Sequence, residues 1–478
     1  MQTRRHFLKN SLALGAGAMT LASLNCSASK KPNVILVFPD QMRASAMGCS
    51  GNPDVVTPHL DHMAAEGALL QTFSNTPVCG PARGCILTGQ YSHQHGIVTN
   101  DLRLRPEKHT LAEAFRDHGY RTGFIGKWHL DGGQKQPGYV PPERRQGFEF
   151  WAANVCDHDH FDSQYFKGDS PEPIPIDKFE TEIWFDEALS FIDNNTDEPF
   201  FLTIAVGPPH NPYKAPQKYE QMYDAENLSM RPNWESVGAG RREDIANYYA
   251  MVTAIDDQMG RLFQKLDELK INDDTIVLFT SDHGDMLGSH GRIYKRQPWE
   301  ESIKVPGILT WPGKIKPQQP SGLFTTVDMA PTLLDLCGIP VPKTMTGQSI
   351  KPMLLENAPG PDAAFFQIFG PCNWQDVPDG WRGIRTRRYT YARFEDKPWV
   401  LYDLQNDPYE LNNLVDTPEY ADIQDELDTR LADWMQQQND SWQHNWDEPF
   451  ADTFVLSKNQ AFYSIKDYKK WRQQQETR

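Results

Sequence analysis

The sequence predicts an α/β fold: a large mixed, mostly parallel sheet sandwiched by helices, then a smaller antiparallel sheet with its own helix. Three observations carry that expectation. Short apolar runs alternate with helical patterns, which implies parallel strands joined by helices on both faces. Four of those runs stop abruptly at polar, chemically capable residues, and in such sheets ligands bind beyond the carboxyl ends of the strands. After about residue 358 the texture changes to closely spaced β-like runs and one helical segment.

The elements follow in chain order. Residues 1–28 read as an export address rather than structure, because Thr3-Arg4-Arg5-His6-Phe7-Leu8-Lys9 matches the twin-arginine pattern. The apolar run from Ser11 to Leu24 is about 14 residues, short of the roughly 20 needed to span a bilayer. The expected location is therefore periplasmic or secreted, with no transmembrane segment. The twin-arginine route carries folded proteins. Cleavage after Ala28 fits, and Cys26 as a lipid anchor is a second reading weakened by Asn25. Residues 29–358 form the expected main domain and 359–478 a C-terminal subdomain and tail.

Within the main domain, Asn33 to Phe38 reads as a buried strand running into Asp40-Gln41. Gly123 to Gly126 runs into Lys127-Trp128-His129, Pro199 to Val206 into Pro208-Pro209-His210, and Thr275 to Thr280 into Asp282-His283-Gly284-Asp285. Helical patterns lie between them, at Leu60 to Gly67, Leu111 to His118 and Tyr248 to Leu269. A linker-like stretch, Asn357 to Pro361, precedes β-like runs at Ala364–Ile368, Trp381–Arg385, Tyr389–Phe394 and Trp399–Asp403. Ala421 to Gln438 makes a packing helix. The tail from Trp442 reads as wrapped over the body.

Composition narrows the partners. The net charge is −17, and it is three units more negative without Arg4, Arg5 and Lys9 of the leader. So acidic a chain argues against nucleic acid and anionic membranes. An anionic substrate must then be drawn by a local basic pocket. The seven cysteines include no Cys-x-x-Cys pair, so neither a zinc motif, a redox motif nor a disulfide framework is indicated.

Cys79-Gly80-Pro81-Ala82-Arg83-Gly84 is the most informative stretch. Proline suits a first helical turn, so Cys79 is expected at a helix N-terminus, where free N–H groups favour an anion. Arg83 on the same turn can grip an oxyanion with two donors. Taken alone, the six residues are equally a buried cysteine beside a surface arginine. Cys85, not arginine, stands sixth after Cys79, which excludes the tyrosine-phosphatase spacing. Cys-x-Pro-x-Arg-Gly resembles the signature of type I sulfatases of the alkaline phosphatase superfamily. Cys85 to Tyr91 and His95-Gly96 extend the likeness, as does Tyr402 to Leu411 near the C-terminus.

That resemblance implies an alkaline phosphatase-like fold and sulfate ester hydrolysis. It implies that a formylglycine-generating or anaerobic sulfatase-maturating enzyme oxidises Cys79 to formylglycine (3-oxoalanine), whose hydrated aldehyde is the nucleophile. Asp40, Gln41, Asp282 and His283, with residue 79, resemble its divalent-metal site. Oxygen-rich ligands favour Ca²⁺ over Mg²⁺, and the imidazole leaves room for Mn²⁺. The family commonly has a second aspartate where Gln41 stands and asparagine where His283 stands. By the same resemblance Arg83, Lys127 and Lys295 hold sulfate oxygens, His129 contacts the aldehyde hydrate, and His210 protonates the leaving alcohol. Arg292 and Arg296 lie close enough to Lys295 to compete for its assignment.

The expected substrate is a sulfated polysaccharide or its oligosaccharides. Arg103, Arg105, His158, His160, Trp374 and Arg382 are candidates for a sugar subsite, since charged and aromatic side chains suit sulfated sugars; each can equally be an ordinary surface residue. Two rivals stand beside this reading: a phosphonate monoester or phosphodiester hydrolase of the same superfamily, and a non-catalytic sulfated-glycan-binding protein.

Overall fold

In the computed structural model of the chain, residues 30–100, 102–132, 137–369 and 380–442 are described, with the backbone of Phe454–Ser457 and Gln460–Phe462. The leader, Trp374 and most of the tail lie outside them. Nine strands form the main sheet, in the order Ala68–Leu69, Ile308–Thr310, Thr275–Phe279, Asn33–Val37, Phe200–Ala205, Arg121–Lys127, Phe150–Asn154, Ser163–Lys167, Ile174–Ile176. The five central strands are parallel, with Val34 opposite Phe201 on one side and Ile276 on the other. The outer strands run antiparallel.

Alternation explains the buried centre. Val34 and Leu36 point into one core with Phe115 and Leu333, while Ile35 and Val37 point into the other with Trp184 and Ile255. Helices Leu111–Asp117 and Met329–Leu336 cover the first face; Glu180–Asp193 and Arg242–Glu268 cover the second. Each such side chain contributes about 1.5–3 kcal/mol by leaving water. Two helices begin earlier than apolar periodicity suggests. Pro58 starts one because proline fits the first turn, and Arg242 starts the other, with Asp244 reaching back to the Arg241 N–H at 3.1 Å. Among the described residues no helix is long and apolar enough to cross a membrane.

The four C-terminal strands Ala363–Ile368, Trp381–Thr386, Tyr389–Arg393 and Pro398–Asp403 form an antiparallel meander. Leu427, Leu431, Trp434 and Met435 stripe one side of helix Ala421–Gln438 and pack on Ile384, Tyr391 and Leu401. The opposite face of the meander shares a core with Phe73, Val78, Trp299 and Ile303 of the preceding chain. The meander is thus joined to the preceding chain by buried apolar surface, not merely by a linker.

One glycine is demanded by the sheet. Gly126 has φ 102°, and a Cβ there would run into the carbonyl oxygen of Ala205 on the neighbouring strand. Gly126→Ala should therefore lower unfolding stability by at least about 2 kcal/mol in urea titrations. An unchanged midpoint would show that the strand can move aside.

Candidate active site

Four strand ends deliver polar residues to one edge, and a fifth element meets them there. Helix Cys79–Thr88 is buried along its whole length, with Cys79 its first residue. Cys79 and Arg83 lie one turn apart and share a face. The helix can approach closely because Gly84 carries no Cβ where the His95 ring lies.

Asp40 stands three residues past strand Asn33–Val37, its N–H bonded to the Val206 carbonyl at 3.0 Å. Its carboxylate accepts from Lys127 Nζ at 2.6 Å and Arg83 Nη2 at 3.1 Å. Arg83 also donates from Nε to Asp282 at 3.1 Å and from Nη1 to the Lys127 carbonyl. The Cys79 sulfur lies 3.6 Å from Asp40 Oδ1, 3.2 Å from His283 Nε2 and 3.1 Å from Lys295 Nζ. Lys295 Nζ also donates to Gln41 Oε1 at 2.6 Å. Asp282 Oδ1 accepts from the backbone N–H groups of Gln41 and His283, at 3.0 and 2.9 Å. His283 Nδ1 donates to the Gly284 carbonyl at 2.9 Å, which turns Nε2 toward the thiol.

Electrostatics follows from the geometry. Burial alone would raise the Cys79 thiol, but Lys295, His283 and Lys127 hold it well below the usual range. Burial and the Cys79 charge also push Asp40 up, yet Lys127 and Arg83 keep it below a normal carboxylate. Asp282 goes the other way, raised by burial and by the Asp40 charge beside it.

Two buried carboxylates side by side, one raised by the other, form a site that a cation would relieve. Asp40, Cys79, Asp282 and His283 offer one ligand atom each, all within 4.8 Å of one another and all buried. Oxygens with one imidazole fit a divalent ion, and residue 79 belongs to the same group.

The other predicted residues separate clearly. Lys127 ends strand Arg121–Lys127, and His129, at φ 57°, leaves the extended path. Their shared direction therefore comes from this turn rather than from strand alternation. Trp128 points into an aromatic cluster with Phe124, Phe148 and Trp151. His129 reaches the Cys79 thiol, as does His210. His210 Nδ1 donates to the Asn211 carbonyl at 2.6 Å, which leaves Nε2 for the pocket. Burial and then Lys295 push the His210 ring down to about 3. His158 stacks on His210 at 3.9 Å and lies 3.2 Å from Lys127 Nζ.

Two sugar-subsite candidates need correction, two pair with acidic residues, and one lies outside the described residues. His160 is buried, with Nδ1 at 2.6 Å from Glu180 and Nε2 donating to the His210 carbonyl at 2.7 Å, so both nitrogens are used inside the protein. Arg382 is buried and forked onto Asp440, at 2.5 Å from Nε and 2.9 Å from Nη2, and so faces no open subsite. Arg103 pairs with Asp131, two residues beyond His129, at 3.1 Å, while Arg105 faces Glu107 at 3.9 Å. Trp374 lies outside the described residues.

Sequence reading missed the struts behind the site. Gln41 Nε2 donates to Asp285 at 2.6 Å, and Tyr213 Oη donates to the same oxygen at 2.6 Å. Asn100 Oδ1 accepts the Gly80 N–H at 2.9 Å. Asp285 falls in the same polar strand-end cluster as Asp282 and was within reach of the strand-end argument; Tyr213 and Asn100 left no signal.

Comparisons with known proteins point to one family. A family model described as Sulfatase matches residues 32–339, and one described as N-sulphoglucosamine sulphohydrolase, C-terminal, matches residues 288–437. The chain is 38% identical over 413 residues to an ulvan-active sulfatase of Formosa agariphila, covering 84% of this chain and 80% of the relative. It is 29% identical over 504 residues to an endo-4-O-sulfatase of Bacteroides thetaiotaomicron, covering 89% and 97%. A solved structure described as a complex with its substrate, D-glucosamine-2-N,6-O-disulfate, is similar at a TM-score of 0.78 and 26% identity, covering 86% of this chain and 99% of that one.

The donor set makes a prediction. Ca²⁺ added to chelator-stripped protein should raise Tm, by about 2.7 kcal/mol of stability at a hundredfold excess over Kd. Asp282→Ala should lose that increment; equal shifts in both proteins would remove Asp282 from the metal site.

Proposed function

The chain belongs to the sulfatase family and is a sulfuric ester hydrolase, and we propose that it removes sulfate from a sulfated polysaccharide or its oligosaccharides using formylglycine made from Cys79. The observation that carries the reading is the meeting of Cys79 with Asp40, His283 and Lys295 inside a ring of buried cations. The names of two relatives, an ulvan-active sulfatase and an endo-4-O-sulfatase, support a sulfated glycan as substrate.

Asp40, Gln41, Asp282, His283 and residue 79 would hold the ion, which we assign as Ca²⁺ because most of the donors are oxygens. When bound, the ion and the formylglycine hydrate supply an oxygen nucleophile of lowered pKa. The chain's own groups do the rest. Arg83, Lys127 and Lys295 neutralise the sulfuryl oxygens, which is worth most in a buried, water-poor pocket. His129 orients the hydrate at residue 79. His210 presents Nε2 to the leaving oxygen; the ester's negative charge offsets Lys295 and so favours the protonated ring that gives up the proton. His158, stacked on His210, is retained as a sugar-facing candidate with Arg103 and Arg105.

The twin arginines Arg4 and Arg5 support export to the periplasm or beyond. A maturating enzyme is the partner that residue 79 requires. We divide the chain into a leader at 1–28, a catalytic domain at 29–358 and a C-terminal subdomain and tail at 359–478.

Four measurements test the reading. Peptide mass analysis should find residue 79 about 18 Da lighter than cysteine, a change that sets it apart from the thiol oxidation ladder. Cys79→Ala should abolish sulfate release from sulfated oligosaccharides, and substantial turnover in that variant would refute the nucleophile. His210→Ala should slow alkyl sulfates by about 10²–10⁴-fold and nitrophenyl sulfate far less, because the latter leaves without a proton. Equal losses would remove the acid role. Faster turnover of aryl phosphonates than of aryl sulfates would favour the phosphonate hydrolase instead.

A further inference from the structure

We propose that the chain carries a second oxyanion site, separate from the one around Cys79: a cavity of about 480 Å³ whose walls include Arg43, Arg231, Lys304 and Arg385. Its ligand class is a tetrahedral anion of the sulfate or phosphate type. The proposal does not depend on the reading of Cys79.

Charge is the first argument. Four cations line one cavity of a chain whose net charge is −17. Only two carboxylates line it with them, those of Glu300 and Glu301. Glu300 accepts from Arg385 Nε at 2.8 Å and pairs with Lys304 at 3.1 Å, while Glu301 accepts from Arg231 Nε at 2.9 Å. A positive excess therefore remains in the space.

Unused donors are the second argument. Arg385 Nη1 and Arg43 Nε are buried and have no hydrogen-bond partner. Their residues are only 6% and 3% exposed, so bulk water does not satisfy them. Leaving such a buried charged donor unmet costs about 1–3 kcal/mol or more. Guanidinium forks fit tetrahedral oxyanions with two parallel bonds.

A cation is the competing occupant, since His290, Glu301 and Glu410 bring ligand atoms within 4.8 Å beside this wall, and Glu301 Oε2 and Glu410 Oε1 also lack partners. Charge and hydrogen bonding decide against it. A dication would add to an existing positive excess. Asn233 Nδ2 donates to His290 Nε2 at 3.0 Å, which occupies that lone pair. Burial, then Glu300 and Glu301, push the Glu410 carboxyl well above its usual range, which disfavours the charged form that a cation needs.

The cavity lies behind the loop that carries Asp282 and His283. Gly284 donates to the Ser302 carbonyl at 2.9 Å, and a Cβ on it would stand 3.2 Å from the Arg43 Cβ.

Crystals of the mature enzyme soaked in selenate, an anomalous-scattering mimic of sulfate, test the site. An anomalous peak bonded to Arg43 and Arg385 is expected. Selenate at the Cys79 pocket with none here would overturn the proposal, and so would Mn²⁺ bound among His290, Glu301 and Glu410. In solution, sulfate at matched ionic strength should raise the Tm of the Lys127→Ala protein above its value in chloride. Adding Arg385→Gln should abolish that rise, and an undiminished rise would overturn the site. Should Arg385→Gln fail to fold, Lys304→Ala, which removes a partly exposed side chain, should weaken sulfate about 10-fold; unchanged affinity overturns the proposal equally. A sulfated oligosaccharide that competes with selenate would identify a glycan-borne sulfate as the ligand, and one that does not would identify the free ion; both results support an oxyanion site.

Discussion

Everything at the candidate centre hangs on one carboxylate. Asp40 is fully buried, yet it holds Lys127 and Arg83 directly and faces both Cys79 and His283. Its partners come from three separate places in the chain: helix Cys79–Thr88, strand Arg121–Lys127 and the loop after strand Thr275–Phe279. Removing one member of such a buried set leaves an uncompensated charge, at a cost of about 3–5 kcal/mol. The same contacts therefore order the sheet edge and place the chemistry. Asp282 repeats the arrangement from the neighbouring strand, and Arg83 bridges the two carboxylates.

The charges also explain why an acidic protein can accept an anionic ester. Arg83, Lys127 and Lys295 face Asp40 and Asp282, and against the effect of burial Lys295, His283 and Lys127 hold the Cys79 thiol well below its usual range. Three cations against two carboxylates leave the pocket net positive. Attraction is then local, confined to the space where sulfate must sit, while the outer surface stays acidic.

Much of this was legible in the sequence because parallel strands place their C-terminal neighbours predictably. Asp40, Lys127, His210 and Asp282 each follow an apolar run within a few residues, so period and position suffice to bring them to one edge. Helix Ala421–Gln438 was legible for a similar reason, its apolar stripe being regular. Arg382 was misread because its partner, Asp440, is 58 residues away and no local pattern announces the pair. His160 was misread likewise, since both its partners are defined only by the fold. The edge strands Ser163–Lys167 and Ile174–Ile176 escaped because short, half-exposed strands lack a strong apolar period. Gln41 looked like a substitute ligand, whereas its amide also braces Asp285.

The core shared by the meander and the preceding chain bears on how the protein is made. Phe73, Val78, Trp299 and Ile303 finish their packing against Phe366, Trp381, Val400 and Tyr402, which leave the ribosome much later. At ordinary synthesis speeds the roughly 120 residues after 358 take on the order of ten seconds to appear. Until then the nascent body lacks one wall of the core to which Val78, the neighbour of Cys79, belongs. Vectorial synthesis thereby makes the start of helix Cys79–Thr88 one of the last places where packing is completed.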